Sequence, residues 1–159
     1  MDRTADIARL ILAHAEDMAI GSPPLPVVFA GTAVKPPTKP RYIWVEYAIN
    51  PTTGFGVADD STLLHQGVLL CRLYWSNGVG VAAPLAATQD IIRHFPRSLV
   101  LYDDDVRVEF QPGSAATPIQ EAAWLYVPVT IPWRAMASAS VPAEPYVVSG
   151  YVEEGYVTP

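Results

Sequence analysis

Three aspartates stand in a row in the stretch YDDDVRVEF, residues 102–110, between two short apolar runs. Carboxylates set that densely are the raw material of a hydrolytic metal site or a general acid–base pair, and His94 lies upstream to join them. Such chemistry needs side chains that converge on one point. Between two strands, however, Asp103, Asp104 and Asp105 fall at a hairpin tip, where neighbouring side chains diverge. Aspartate also forms turns readily, because its carboxylate bonds the local backbone and it tolerates unusual dihedrals. The flanking runs have the length common for such a hairpin. A turn is therefore the favoured reading, and a small metal-dependent enzyme the minor one.

No other constellation of reactive residues forms. His14, His65 and His94 sit on different expected elements and lack an H-x-x-x-H or H-E-x-x-H spacing. His14 falls beside the apolar stripe of a helix, as a histidine at the edge of a core would. An edge or solvent position accounts for His65. There is no G-x-S-x-G elbow, no P-loop, and no G-x-G-x-x-G after a strand. The run NGVGVAAP leads into a helix without a lysine or serine placed for phosphate. Cys71 is the only cysteine, which excludes an internal disulfide and a thiolate cluster, and its apolar neighbourhood GVLLCRLYW suits a buried hydrophobe. No cofactor and no metal are implied, and no enzymatic activity is expected.

The elements that would position these residues follow from periodicity. Ile7, Leu10, Ile11, His14 and Met18 recur at helical spacing, Thr4 or Asp2 can cap that helix, and GSPPLP ends it. VVFAG is a short strand, and the proline-rich KPPTKP is an extended connection. RYIWVEYAI is a strand with Ile43, Val45 and Tyr47 on one face and Tyr42, Trp44 and Glu46 on the other. The stretch NPTTGFGVADDSTL reads as a long loop whose tip carries the apolar Phe55 and Val57; long loops of this kind are usually functional. LLHQGVLLCRLYWSNG is a strand apolar on both faces, hence central, with helices or a neighbouring subunit over each side. APLAATQDIIRHFP is a second helix, with Pro84 in its first turn and Pro96 stopping it. SLVLY and VRVEF flank the aspartates, and QPGSAATPIQEA reads as a loop. In AWLYVPVTIPWRA the two prolines, Pro128 and Pro132, share a face and predict an edge or bulged strand.

This order of elements predicts an α+β fold, a single mostly antiparallel β-sheet with two helices packed on one face. Residues 1–135 would form the domain, and residues 136–159, small, acidic and carrying the echo GYVEEGYV, an arm able to add to a partner. The net charge of −6, with the ten basic residues scattered singly, argues against a nucleic-acid binder. No run approaches a membrane span, and the acidic start MDRTADIARLIL does not read as a basic leader, so a cytoplasmic product is expected.

The run DIIRHFPRSLVLYDDDVRVEF followed by AWLYVPVTIPWRA, after PRYIWVEY, resembles the tail-terminator-like proteins of long-tailed bacteriophages and prophages. The likeness spans residues 2–135 and includes Val127-Pro128-Val129 and Ile131-Pro132-Trp133-Arg134. The resemblance implies a structural virion protein made in the bacterial host, whose copies close into a ring, usually six-fold, at the head-proximal end of the tail. Such a ring caps the tail tube, stops its growth and offers a surface to the head connector. Another head-completion or minor tail subunit is the alternative. The candidate subunit or partner contacts are Thr53, Phe55, Val57, Asp59 and Asp60 on the long loop, Trp124, Tyr126 and Pro128 on the last strand, and Tyr151 and Tyr156 in the arm.

Overall fold

A computed structural model describes residues 3–33, 35–38, 41–57 and 61–138. Helix α1, Thr4–Glu16, forms where Ile7, Ile11 and Ala15 recur at one face, and all three are buried. Its N-cap is Arg3 rather than Thr4 or Asp2, and no side chain caps the end. Strand β1, Val27–Phe29, follows; then β2, Tyr42–Gly54, and β3, Thr62–Ser76, form one long antiparallel hairpin. Helix α2, Ala82–His94, stops at Phe95 and Pro96, where the chain leaves helical dihedrals. Strands β4, Val100–Asp103, and β5, Val106–Phe110, form the hairpin expected around the aspartates. Two short strands, β6, Ser114–Ala115, and β7, Ile119–Gln120, lie in the stretch expected to be loop, and β8, Trp124–Ser138, closes the fold. Residues 136–138, assigned to the arm by pattern, are thus part of the sheet.

The sheet has the order β1-β2-β3-β8-β5-β4, with β6 and β7 also paired to β8. Only β1 is parallel to its neighbour. Both helices pack on one face, over Ile43, Val45, Leu69, Cys71, Leu73, Val129, Ile131 and Trp133. The expected α+β architecture is the observed one. No described helix is long and apolar enough to cross a membrane.

Two further sequence expectations are corrected. Half of the long loop is strand: β2 runs through Gly54, Phe55 N–H bonds the Thr62 carbonyl, and residues 55–61 connect the two strands. Nor is β8 an edge. It pairs with β3 along its whole length and with β5, β6 and β7 on its other side. The prolines permit this because N–H and C=O of one strand residue point to the same side. The carbonyls of Pro132 and Pro128 accept from Gln111 and Ala116, so both prolines turn their donor-free nitrogens away from β3. The ladder to β3 loses nothing, and the β5–β7 side, broken into three short strands, is where the missing donors fall.

Gly67 is required where it stands. A Cβ there would strike the carbonyl oxygen of Ala48 and come within 2.6 Å of the Trp133 ring. The bare backbone lets Trp133 lie flat across β3 and stack on Tyr47, with ring centroids 5.2 Å apart.

Candidate interaction face

Side chains alternate across a strand, so the residues between the core positions point to the face without helices. Tyr42, Tyr74 and Tyr126 stand in register across β2, β3 and β8. Tyr42 and Tyr74 stack at 4.7 Å, Tyr126 lies 5.5 Å from Tyr74, and Trp124 meets Tyr74 edge-on. Burial raises the Tyr42 phenol, with Tyr74 adding to the effect. One residue pair further along, Trp44, Arg72 and Pro128 form the next row. Trp44 Nε1 donates to Glu46 at 2.8 Å, and Arg72 bonds the same carboxylate at 3.3 Å. Leu70 and Val68 continue the face. Apart from Tyr42, these side chains are only half-buried, and no helix packs over them. A large apolar and aromatic surface left open in this way marks a contact surface.

At the β5–β8 side the face turns basic. Arg107 and Arg134 both bind Glu109, at 2.7 Å and 2.8 Å, one from its own strand and one from across the ladder. With Arg97, from the turn after α2, they line a recess of about 270 Å³. Hydrogen bonding from Arg134, aided by the charges of Arg107 and Arg134, holds the Glu109 carboxyl below the ordinary range. The sequence reading treated the basic residues as scattered. It missed this cluster because 37 positions separate Arg97 from Arg134, and only the β5–β8 pairing and the turn after α2 bring them to one recess. A second recess, of about 450 Å³, lies on the helix side between Leu25, Trp75 and Ala87, where Arg41 sits 4.8 Å over the Trp75 ring.

The candidate contact residues divide between the two ends of the sheet. Trp124, Tyr126 and Pro128 belong to the open face, with Trp124 opposite Ser76. Thr53, opposite Leu64, lies toward the far end, twelve positions along β3 or roughly 40 Å at strand rise. Phe55 and Val57 are exposed beyond it. Asp59, Asp60, Tyr151 and Tyr156 lie outside the described residues.

The triple aspartate is a two-residue turn. Asp103 pairs with Val106, Asp104 takes a left-handed φ of 48°, and Asp105 accepts from Arg3 at 2.8 Å. His94 is engaged elsewhere, with His14, and does not reach these carboxylates. Among the described residues, no group of three or more His, Cys, Asp or Glu is placed to hold a metal ion. His65 is buried rather than at an edge or in solvent, because its strand is central; its Nδ1 meets Thr52 Oγ1 at 3.2 Å. Burial pushes the Cys71 thiol up to about 12, as suits a core residue.

Compared with known proteins, the chain matches a family model described as phage tail terminator protein over residues 6–133. A solved structure whose name states no function is 22% identical, with a TM-score of 0.64, over 86% of this chain and 98% of that one, a likeness of fold. No curated protein matches.

Proposed function

The chain belongs to the phage tail terminator family, whose members are structural proteins of the phage tail, and on that premise we propose that its copies close into a ring that caps the tail tube and meets the head connector. The observation that carries the ring is the open sheet face. It is apolar and aromatic across β2, β3 and β8, yet the chain's own helices cover only the opposite side. A ring needs two different patches on each subunit, one for each neighbour. The open face supplies one. The far end of the β2–β3 hairpin, with Thr53, Phe55 and Val57, supplies the other, roughly 40 Å away along the strands.

Two patches so far apart suit a closed cycle better than a two-fold dimer, which would pair one patch with itself. Six copies is the expected number. The ring's two rims would contact the tail tube and the connector, at the head-proximal end of the virion tail. Residues 1–138 would form the ring body and 139–159 the arm.

Native mass spectrometry of the purified chain over a range of concentrations tests this. A closed oligomer, with six subunits, is the expected result, and Tyr126→Glu on the open face shifts it toward monomer. A monomer at every concentration, with or without a tail tube present, overturns the ring.

A further inference from the structure

The open face and the basic recess beside it are complementary to one stretch of the same chain. Residues 139–159 contain three glutamates and no lysine or arginine, so they carry half of the net charge of −6. The same stretch holds Tyr146, Val147, Val148, Tyr151, Val152 and Tyr156, an apolar content to match the face. Its acidic pair, Glu153 and Glu154, sits between two tyrosine–valine pairs. Arg97, Arg107 and Arg134, against the single Glu109, leave the recess with an excess of positive charge in a protein that is acidic as a whole. Arginine forks suit carboxylates.

We infer that residues 139–159 of one copy lie on the open sheet face of the adjacent copy, with Glu153 and Glu154 in the recess of Arg97, Arg107 and Arg134. The geometry of departure favours the neighbour over the chain's own face. Strand β8 delivers the segment at Ser138, only four positions, or about 13 Å, beyond Arg134. Glu153 is fifteen positions beyond Ser138, and extended chain of that length reaches roughly 50 Å. A segment of that length has the reach to pass its own recess and meet that of a neighbouring copy. The inference rests on the ring reading and adds to it a strap that ties each copy to the next.

Charge reversal in the full-length chain tests it. One variant carries Glu153→Arg and Glu154→Arg. Its complement carries Arg97→Glu and Arg107→Glu, which leaves the Arg134–Glu109 pair intact. Arg97→Glu alone, in an exposed turn, serves if the double variant does not fold as judged by its circular dichroism. Self-association is followed by sedimentation velocity. The expected result is at least a tenfold loss of association for each variant alone and recovery when the two are mixed, since a strap of one type then meets a recess of the other. Recovery only when all substitutions are placed in one chain, with none on mixing, shows the segment on its own sheet and overturns the neighbour as occupant. Unchanged association of both variants, beside a wild type that assembles, overturns the strap and leaves the ring standing. A wild type that never associates overturns both.

Discussion

His14 and His94 each close the other's helix. The Nε2–H of His14 donates to the His94 carbonyl and the Nε2–H of His94 donates to the His14 carbonyl, both at 2.7 Å, while the two rings stack 4.2 Å apart. The carbonyl can only accept, so each Nε2 carries its proton. Both carbonyls belong to the last turn of a helix, where backbone donors run short, and the His14 carbonyl also accepts from the Asp17 N–H at 3.3 Å. The pair joins α1 to α2 across 80 positions and rests against Phe95 and Phe110. Removing either ring takes a side-chain donor from a helix-end carbonyl and breaks the stack, so His14→Ala and His94→Ala should each cost about 1–2 kcal/mol in denaturant unfolding. The double variant should cost clearly less than the sum. Additive losses would mean that the rings act independently.

Gly67→Ala should be among the most damaging single-methyl changes in the molecule. The added carbon meets the backbone at Ala48 and the Trp133 ring, and backbone in the middle of β2 cannot step aside. A loss of at least about 2 kcal/mol is expected, together with a change in near-ultraviolet circular dichroism as Trp133 leaves Tyr47. An unchanged aromatic signal would show that the stack does not depend on the glycine.

Tyr47→Phe should stabilise the fold. The Tyr47 hydroxyl is buried with no hydrogen-bond partner among the described residues, and burial pushes its phenol well up. Phenylalanine keeps the ring on Trp133 and removes the stranded polar atom, a gain of about 1 kcal/mol in thermal or denaturant unfolding. A loss of stability would reveal a partner for the hydroxyl.

The aspartate turn makes a prediction of opposite character. Asp104 occupies the left-handed region at φ 48°, so Asp104→Gly and Asp104→Asn should leave stability within about half a kcal/mol, whereas the β-branched Asp104→Val should cost about 1–2 kcal/mol. Hydrolytic chemistry at this site would instead make even the asparagine variant lose activity outright.

Glu109 predicts an acid limb of stability. Its carboxyl is held below the ordinary range in the folded protein, first by the hydrogen bond from Arg134. A group depressed on folding contributes stability above its unfolded value, near 4.3 for glutamate, and that contribution is lost as pH falls through the lower folded value. The unfolding midpoint of wild type should therefore fall as pH drops below about 4.3, and Glu109→Gln should flatten that fall. In Arg134→Met, the Glu109 carboxyl should titrate closer to its ordinary range by carbon-detected NMR. No movement would assign the depression to Arg107 alone.

Much of this protein was legible without coordinates. Helical spacing in α1, strict alternation in β2, β3 and β8, and three aspartates between short apolar runs each encode a local geometry, and each was realised. The long loop failed as a reading because Pro51 and Gly54 have low strand preference on their own, yet after a bulge the ladder to β3 resumes at Thr53 and Gly54. The prolines of β8 misled for a related reason. Sequence shows that a donor is missing but not toward which neighbour it would have pointed.

What alternation settles is which residues share a face; what it leaves open is which strands adjoin and in which register. Only the order β3-β8-β5 brings Arg107 beside Arg134, and only helix packing brings His14 onto His94. These contacts join residues 27 to 80 positions apart, through hydrogen bonding and burial shared by the whole sheet. Local composition could propose the elements and, through them, the family. The open aromatic face and the arginine recess exist only once the strands have paired.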